Sequence, residues 1–191
     1  MNIFILNDCS GEFYFKPDTT FCKENADFYF PHHIELLKIE PLIATKILKS
    51  GKFISSRFAN RYYSKINFAL NIFHNKIFQT PITISELTFF SAIDSSFYYY
   101  SSNHLLDISE NLNMITLFNS HNTTSINLNI DLETKINQAI EKISSYITLK
   151  SGDIVAISFD STINIKRGDN IKMRVGLSDD NYNEVFDFLI K

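Results

Sequence analysis

Glycine is scarce: 5 in 191 residues, with 4 prolines, 2 cysteines and no tryptophan. Backbone that closes on a phosphate or carboxylate usually needs glycine for the approach. No G-x-G-x-x-G, no G-K-[ST], no G-x-S-x-G and no Cys-x-x-Cys occurs in the chain. These absences exclude the common nucleotide loops, the hydrolase nucleophile elbow and the thioredoxin-type redox pair. Cys9 and Cys22 stand alone, and "MNIFILNDCSGEF" lacks a basic n-region and a continuous apolar run. Reduced thiols and a cytoplasmic location are the expectation. No apolar stretch reaches the ~18 residues that span a bilayer, so no membrane association is expected. A net charge of −3, with lysines and arginines that look scattered along the sequence, argues against a nucleic-acid partner.

Hydrophobic residues make up 45% of the chain and charged ones 20%, the balance of a globular protein with one core. No repeat or linker divides residues 1–191, so a single domain is expected. Apolar alternation predicts short strands at 3–6 and 12–16, and one or two strands over 34–48, with Pro41 at an edge or bulge. Ser50-Gly51 reads as a turn, followed by a helix capped by Ser55 or Ser56 with Phe58, Tyr62 and Ile66 on one face. "NFALNIF", "LTFFSAI" and "FYYY" read as strands, and "MITLFNSHNTTSINLNI" as a hairpin around 119–122. The clearest helix follows Asp131, with Ile136, Ala139, Ile140, Ile143 and Ile147 in one stripe. Gly152-Asp153 and Gly168-Asp169 each open a further strand, and "NEVFDFLI" closes the chain. The fold class is β-rich α+β with one prominent helix near 131–147.

Few residues suggest chemistry on their own. His32-His33 are adjacent and so point apart on a strand; an exposed loop after Pro31 explains them. His74, His104 and His121 are isolated, and Tyr98–Tyr100 lack interleaved basic residues and read as strand packing. Glu40 is the puzzle: an acid inside the apolar run "IEPLIATKI" needs a partner if it is buried.

Several stretches follow one another as in a known family. "FKPDT" (15–19), "IEPLIATKILKSGKFISSRFANRYYSKINFALNI" (39–72), "SAI" (91–93) and "INQAIEKISSYITLKSGDIV" (136–155) resemble the fumarylacetoacetate hydrolase family. The likeness is to short bacterial acylpyruvate hydrolases and 2-hydroxyhepta-2,4-diene-1,7-dioate isomerases. It implies the family's mixed β-roll and a homodimer or pairing with a related subunit. Active members bind Mg²⁺ or Mn²⁺ through an E-x-E strand and a later Asp, and the metal chelates a 2-oxo or β-diketo acid.

By that resemblance Glu40 matches the first acid, its partner falls on Leu42, and the later Asp falls on Asn71. The family's following Arg and Asp fall on Asn75 and Lys76, and a substrate-side Lys falls on Glu86. Its T-G-T-P-x-G-V loop falls on "ISFDSTI" (157–163), and the N-terminal segment with the acid/base pair is shortened. Glu40 and Asn71 are thus the remaining metal-site candidates, and Lys16, beside Pro17, the substrate-side candidate. The resemblance therefore implies a degraded divalent-metal site and impaired catalysis. Two alternatives stay open. Glu35, Glu40, Asn71 and Asp94 could rebuild an oxygen cage in an active hydrolase, isomerase or decarboxylase. Or the protein could bind a small carboxylate without catalysis, using Lys16, Lys38 or Arg61.

Overall fold

A computed structural model describes residues 1–22, 25–74, 88, 91–100, 114–128, 131–178 and 181–191. Among these, twelve strands form two sheets around one main helix. The strands are β1 (Ile3–Asn7), β2 (Phe13–Lys16), β3 (Phe21–Cys22), β4 (Leu37–Ile47), β5 (Tyr63–His74), β6 (Phe97–Tyr99), β7 (Met114–Phe118), β8 (Thr123–Asn127), β9 (Ile154–Ser158), β10 (Ile163–Ile165), β11 (Asn170–Ser178) and β12 (Asn181–Leu189). The larger sheet runs β2-β1-β9-β4-β5-β6-β3, with β10 also paired to β4. It is mixed, since β1/β9 and β3/β6 are parallel and the other pairs antiparallel. The smaller sheet runs β12-β11-β7-β8. This is the β-rich α+β architecture the apolar pattern predicts.

Helix α1 (Leu132–Tyr146) begins at Asp131, whose Oδ1 accepts from the Thr134 N–H at 3.1 Å. That bond satisfies one of the first-turn donors a helix leaves unpaired. Ile136, Ala139, Ile140 and Ile143 are fully buried in the main core, as their spacing requires. Ile147 lies just past the helix as its C-cap.

The larger sheet is buried on both faces, and residue parity sorts its side chains. Phe4, Leu6, Ile39, Ile43, Phe68, Leu70, Ile72, Val155 and Ile157 enter the main core. Their neighbours Ile3, Ile5, Tyr14, Leu42, Ala44, Ala69, Phe97, Ile154 and Ala156 form a second cluster on the opposite face. Two-sided burial explains why β4 and β5 read as near-continuous apolar runs.

Three expectations are corrected. Pro41 sits within β4, a central strand, and not on an edge. It pairs with Leu70 on one side, while on the other β10 stops at Ile39 and β9 starts at Leu42. That gap leaves room for a residue without an N–H. The helix expected after Ser55 is a 3₁₀ turn, Ser56–Arg61, with Phe58 exposed and Ile66 already in β5. No Ser55 side-chain cap forms. Within "LTFFSAI", Thr88 and Ser91 are helical and not extended. Asn75, Lys76, Glu86 and His104 lie outside the described residues.

Candidate functional site

The three residues singled out as site candidates meet on the second face of the larger sheet. β2 brings Tyr14 and Lys16, β4 brings Glu40 and Leu42, β5 brings Asn71, and β9 ends on Ser158. Register fixes the meeting: Glu40 faces Asn71 across β4/β5, and Leu42 faces Ser158 across β4/β9. Lys16, Asn71 and Ser96 are fully buried, and Glu40, Tyr14 and Ser158 nearly so.

The side chains form one hydrogen-bonded chain. Lys16 Nζ donates to Asn71 Oδ1 at 2.6 Å, to Ser96 Oγ at 2.7 Å and to the Ile72 carbonyl at 3.2 Å. Asn71 Nδ2 donates to Glu40 Oε1 at 2.8 Å and to the Tyr14 hydroxyl at 3.0 Å. Glu40 also accepts from Tyr14 at 3.3 Å and from Ser158 Oγ at 2.5 Å.

Donor counting assigns the charges. The Ser96 hydroxyl gives its own proton to the Ile93 carbonyl, so its oxygen is free to accept from Lys16. All three neighbours of Nζ are then acceptors, which an ammonium satisfies and a neutral amine does not. Glu40 faces the Asn71 amide N–H and two hydroxyls, Tyr14 and Ser158, all three able to donate to a carboxylate. Lys16 and Glu40 are therefore a buried ion pair relayed through one amide. Burial pushes the Lys16 pKa well down, and the Glu40 charge partly restores it. Burial raises the Glu40 pKa, opposed by the bonds from Ser158 and Asn71. The Tyr14 hydroxyl is held well above its usual range, first by burial and then by the adjacent carboxylate.

The other candidates do not join this group. Glu35 and Asp94 are exposed, Asp94 lining a separate cavity of about 580 Å³ with His33 and Tyr29. Arg61 is exposed and Lys38 half-buried. His32 and His33 are exposed, with His32 Nδ1 3.1 Å from Arg167. His121 is at the hairpin tip. Asp153 and Asp169 accept backbone N–H bonds from Lys150 and Lys166 within their own turns. Tyr98 is buried against Phe188 and donates to the Ala26 carbonyl, so it presents no free ring. Cys9 is exposed and Cys22 buried.

Sequence reasoning missed Tyr14, Ser96 and Ser158. Parity offered a signal for two of them: Tyr14 stands two residues before Lys16, and Ser158 two after Ala156. Ser96 immediately precedes β6, where strand parity gives no guide.

No family model matches the chain, and no curated protein matches it. Solved structures do match in shape. A protein from Yersinia pestis assigned to the fumarylacetoacetate hydrolase family aligns over 100% of this chain and 92% of its own, with a TM-score of 0.76 and 16% identity. The 2-hydroxyhepta-2,4-diene-1,7-dioate isomerase of Mycobacterium marinum aligns over 100% and 75%, with a TM-score of 0.74 and 12% identity. Fumarylpyruvate hydrolase of Pseudomonas aeruginosa, solved with Mn²⁺ and pyruvate, aligns over 100% and 90%, with a TM-score of 0.68 and 11% identity. The chain has the fold of the fumarylacetoacetate hydrolase family, with its mixed curled sheet and one main helix.

Proposed function

We propose that this chain is a divergent fumarylacetoacetate hydrolase-family protein whose metal-dependent catalysis is impaired. Its remaining role would be binding, of a small carboxylate or of another subunit, as a cytoplasmic homodimer or paired with a relative. One observation carries the reading: Lys16 Nζ donates at 2.6 Å to Asn71 Oδ1, and the sequence resemblance aligns Asn71 with a metal-binding acid.

The donor set does not fit Mg²⁺ or Mn²⁺. Such ions take several oxygen ligands and strong negative charge. Here Leu42 supplies no donor, Asn71 Oδ1 is engaged by Lys16, and both Glu40 oxygens already accept hydrogen bonds. Among the described residues no three His, Cys, Asp or Glu side chains gather to hold a metal. The Lys16 and Glu40 charges cancel within the group. An added divalent ion ~4 Å from the ammonium meets a gross repulsion of about 8 kcal/mol at an effective dielectric of ~20. No step of a metal-assisted mechanism follows from this arrangement.

The test is turnover of acylpyruvates and oxaloacetate with Mg²⁺ or Mn²⁺ present. Rates equal to the metal-only control are expected. Rates well above it would restore the alternative, an active hydrolase, isomerase or decarboxylase of 2-oxo or β-diketo acids.

A further inference from the structure

Residues 41–85 contain no Asp or Glu, in a chain whose net charge is −3. Six cations of this stretch, Lys46, Lys49, Lys52, Arg57, Arg61 and Lys65, are exposed. The fold concentrates them further. The connection from β4 to β5 folds back on the C-terminal half of α1: the Phe53 N–H donates to the Ser144 carbonyl at 3.0 Å, the Ile54 N–H to Ser144 Oγ at 2.9 Å, and Gly51 and Leu149 exchange backbone bonds. Exposed Lys142 and Lys150 are thereby added beside the same segment. Glu141 borders the face and accepts from the Ser56 N–H at 3.1 Å, and Glu133 and Asp131 lie near Tyr63 at its β5 end.

Large apolar side chains protrude from the same region. Phe53 is 73% exposed, Leu48 58% and Tyr146 64%. Phe53 also has φ of +54°, a left-handed conformation rare for a bulky residue. The turn thus holds an aromatic ring in water, in a backbone state that glycine would adopt more readily. Phe53 and Leu48 set exposed apolar side chains among these cations.

We propose that this basic, apolar-tipped face docks on an anionic lipid surface. Leu48 and Phe53 would enter the headgroup–acyl boundary while the surrounding Lys and Arg pair with lipid phosphates. Nucleic acid is a poorer match. Base binding needs free ring faces, whereas Arg57 and Arg61 lie 5.6 and 5.0 Å from the Phe58 centroid and Lys52 5.0 Å from that of Phe53. Leu48 offers no stacking face at all.

Co-sedimentation of the full chain with phosphatidylcholine vesicles, with and without phosphatidylglycerol, tests this. Binding is expected only with phosphatidylglycerol, and it should weaken as salt shortens the screening length. Each of Lys49→Gln, Lys52→Gln and Arg57→Gln should weaken it about fivefold, the equivalent of about 1 kcal/mol per basic residue. Lys166→Gln, outside the face, should leave it unchanged. Phe53→Gly removes the apolar tip while relieving the positive φ, so it should bind less yet melt no lower than the parent. No binding to anionic vesicles, equal binding to neutral ones, or indifference to these substitutions would overturn the proposal. Tighter binding to a single-stranded oligonucleotide than to the vesicles would overturn it in favour of nucleic acid.

Discussion

Lys16 and Glu40 touch through a single amide: Asn71 accepts from the lysine at 2.6 Å and donates to the glutamate at 2.8 Å. The amide carries opposite poles to the two charges, so it separates them without leaving either unsolvated. This answers what an acid is doing among the apolar residues of β4: its countercharge is inside the protein.

Buried pairs fail badly when halved and far less when removed whole. Lys16→Met alone should cost about 3–5 kcal/mol, since it strands the Glu40 carboxylate, and Glu40→Gln alone should be comparable. The double variant should lose much less than the sum. Urea unfolding of all four proteins measures the coupling; simple additivity would mean the two charges do not sense each other.

The pair also sets a pH dependence. Glu40 titrates above 4.5 when folded, so its contribution is fully present below 4.5 and is lost as pH rises through the raised value. Lys16 titrates well below 10.5 when folded, so its contribution is present above 10.5 and is lost as pH falls through the lowered value. Relative to the Lys16→Met/Glu40→Gln double variant, parent stability should fall with pH on the acid side and rise with pH on the alkaline side. Slopes of the opposite sign would contradict the burial of these groups.

Much of this site was legible beforehand, and the reason is the two-residue period of strands. Glu40 and Leu42 share a parity, and Asn71 lies in "NFALNIF", which reads as a strand, so the pattern puts all three on strands. What could not be read was the countercharge. Lys16 belongs to β2 at the sheet's end, and only the curl of the sheet brings its ammonium back over β5. The 3₁₀ turn at Ser56–Arg61 was misread for a related reason. Its apolar spacing fits a helix, but the chain must reach β5 by Tyr63, and the docking of Phe53 and Ile54 on Ser144 leaves no length for one. Six cations of the basic face stand in the acid-free stretch 41–85 and are legible in the sequence; only the addition of Lys142 and Lys150, distant in sequence, needs the fold.

A metal site should be recoverable. Leu42→Glu with Asn71→Asp supplies the missing acids, and Lys16→Gln removes the competing ammonium. If the triple variant binds Mn²⁺, a concentration 100-fold above its Kd stabilises by about 2.7 kcal/mol, roughly 5–10 °C in Tm for a chain of this size. Retaining Lys16 in the Leu42→Glu/Asn71→Asp background should diminish that shift. An equal shift with and without Lys16 would show that the ammonium does not compete with the ion.

Gly51 tests the docking of the β4–β5 connection. A Cβ there would lie 2.7 Å from Tyr62 Cε1 and 2.9 Å from Ile54 Cδ1. Ile54 is buried and cannot swing away, so Gly51→Ala should destabilise by about 1–3 kcal/mol, the usual cost of overpacking. Thermal melting reads it directly, and an unchanged Tm would mean the turn is free to lift from α1.

The most direct measurement is the melting temperature of the unaltered protein as Mn²⁺ is raised to millimolar concentration. With the lysine's own charge already seated against Asn71, no specific rise is expected. A saturable increase of several degrees, abolished by Glu40→Gln, would show that the pocket still takes a divalent ion and would contradict the account.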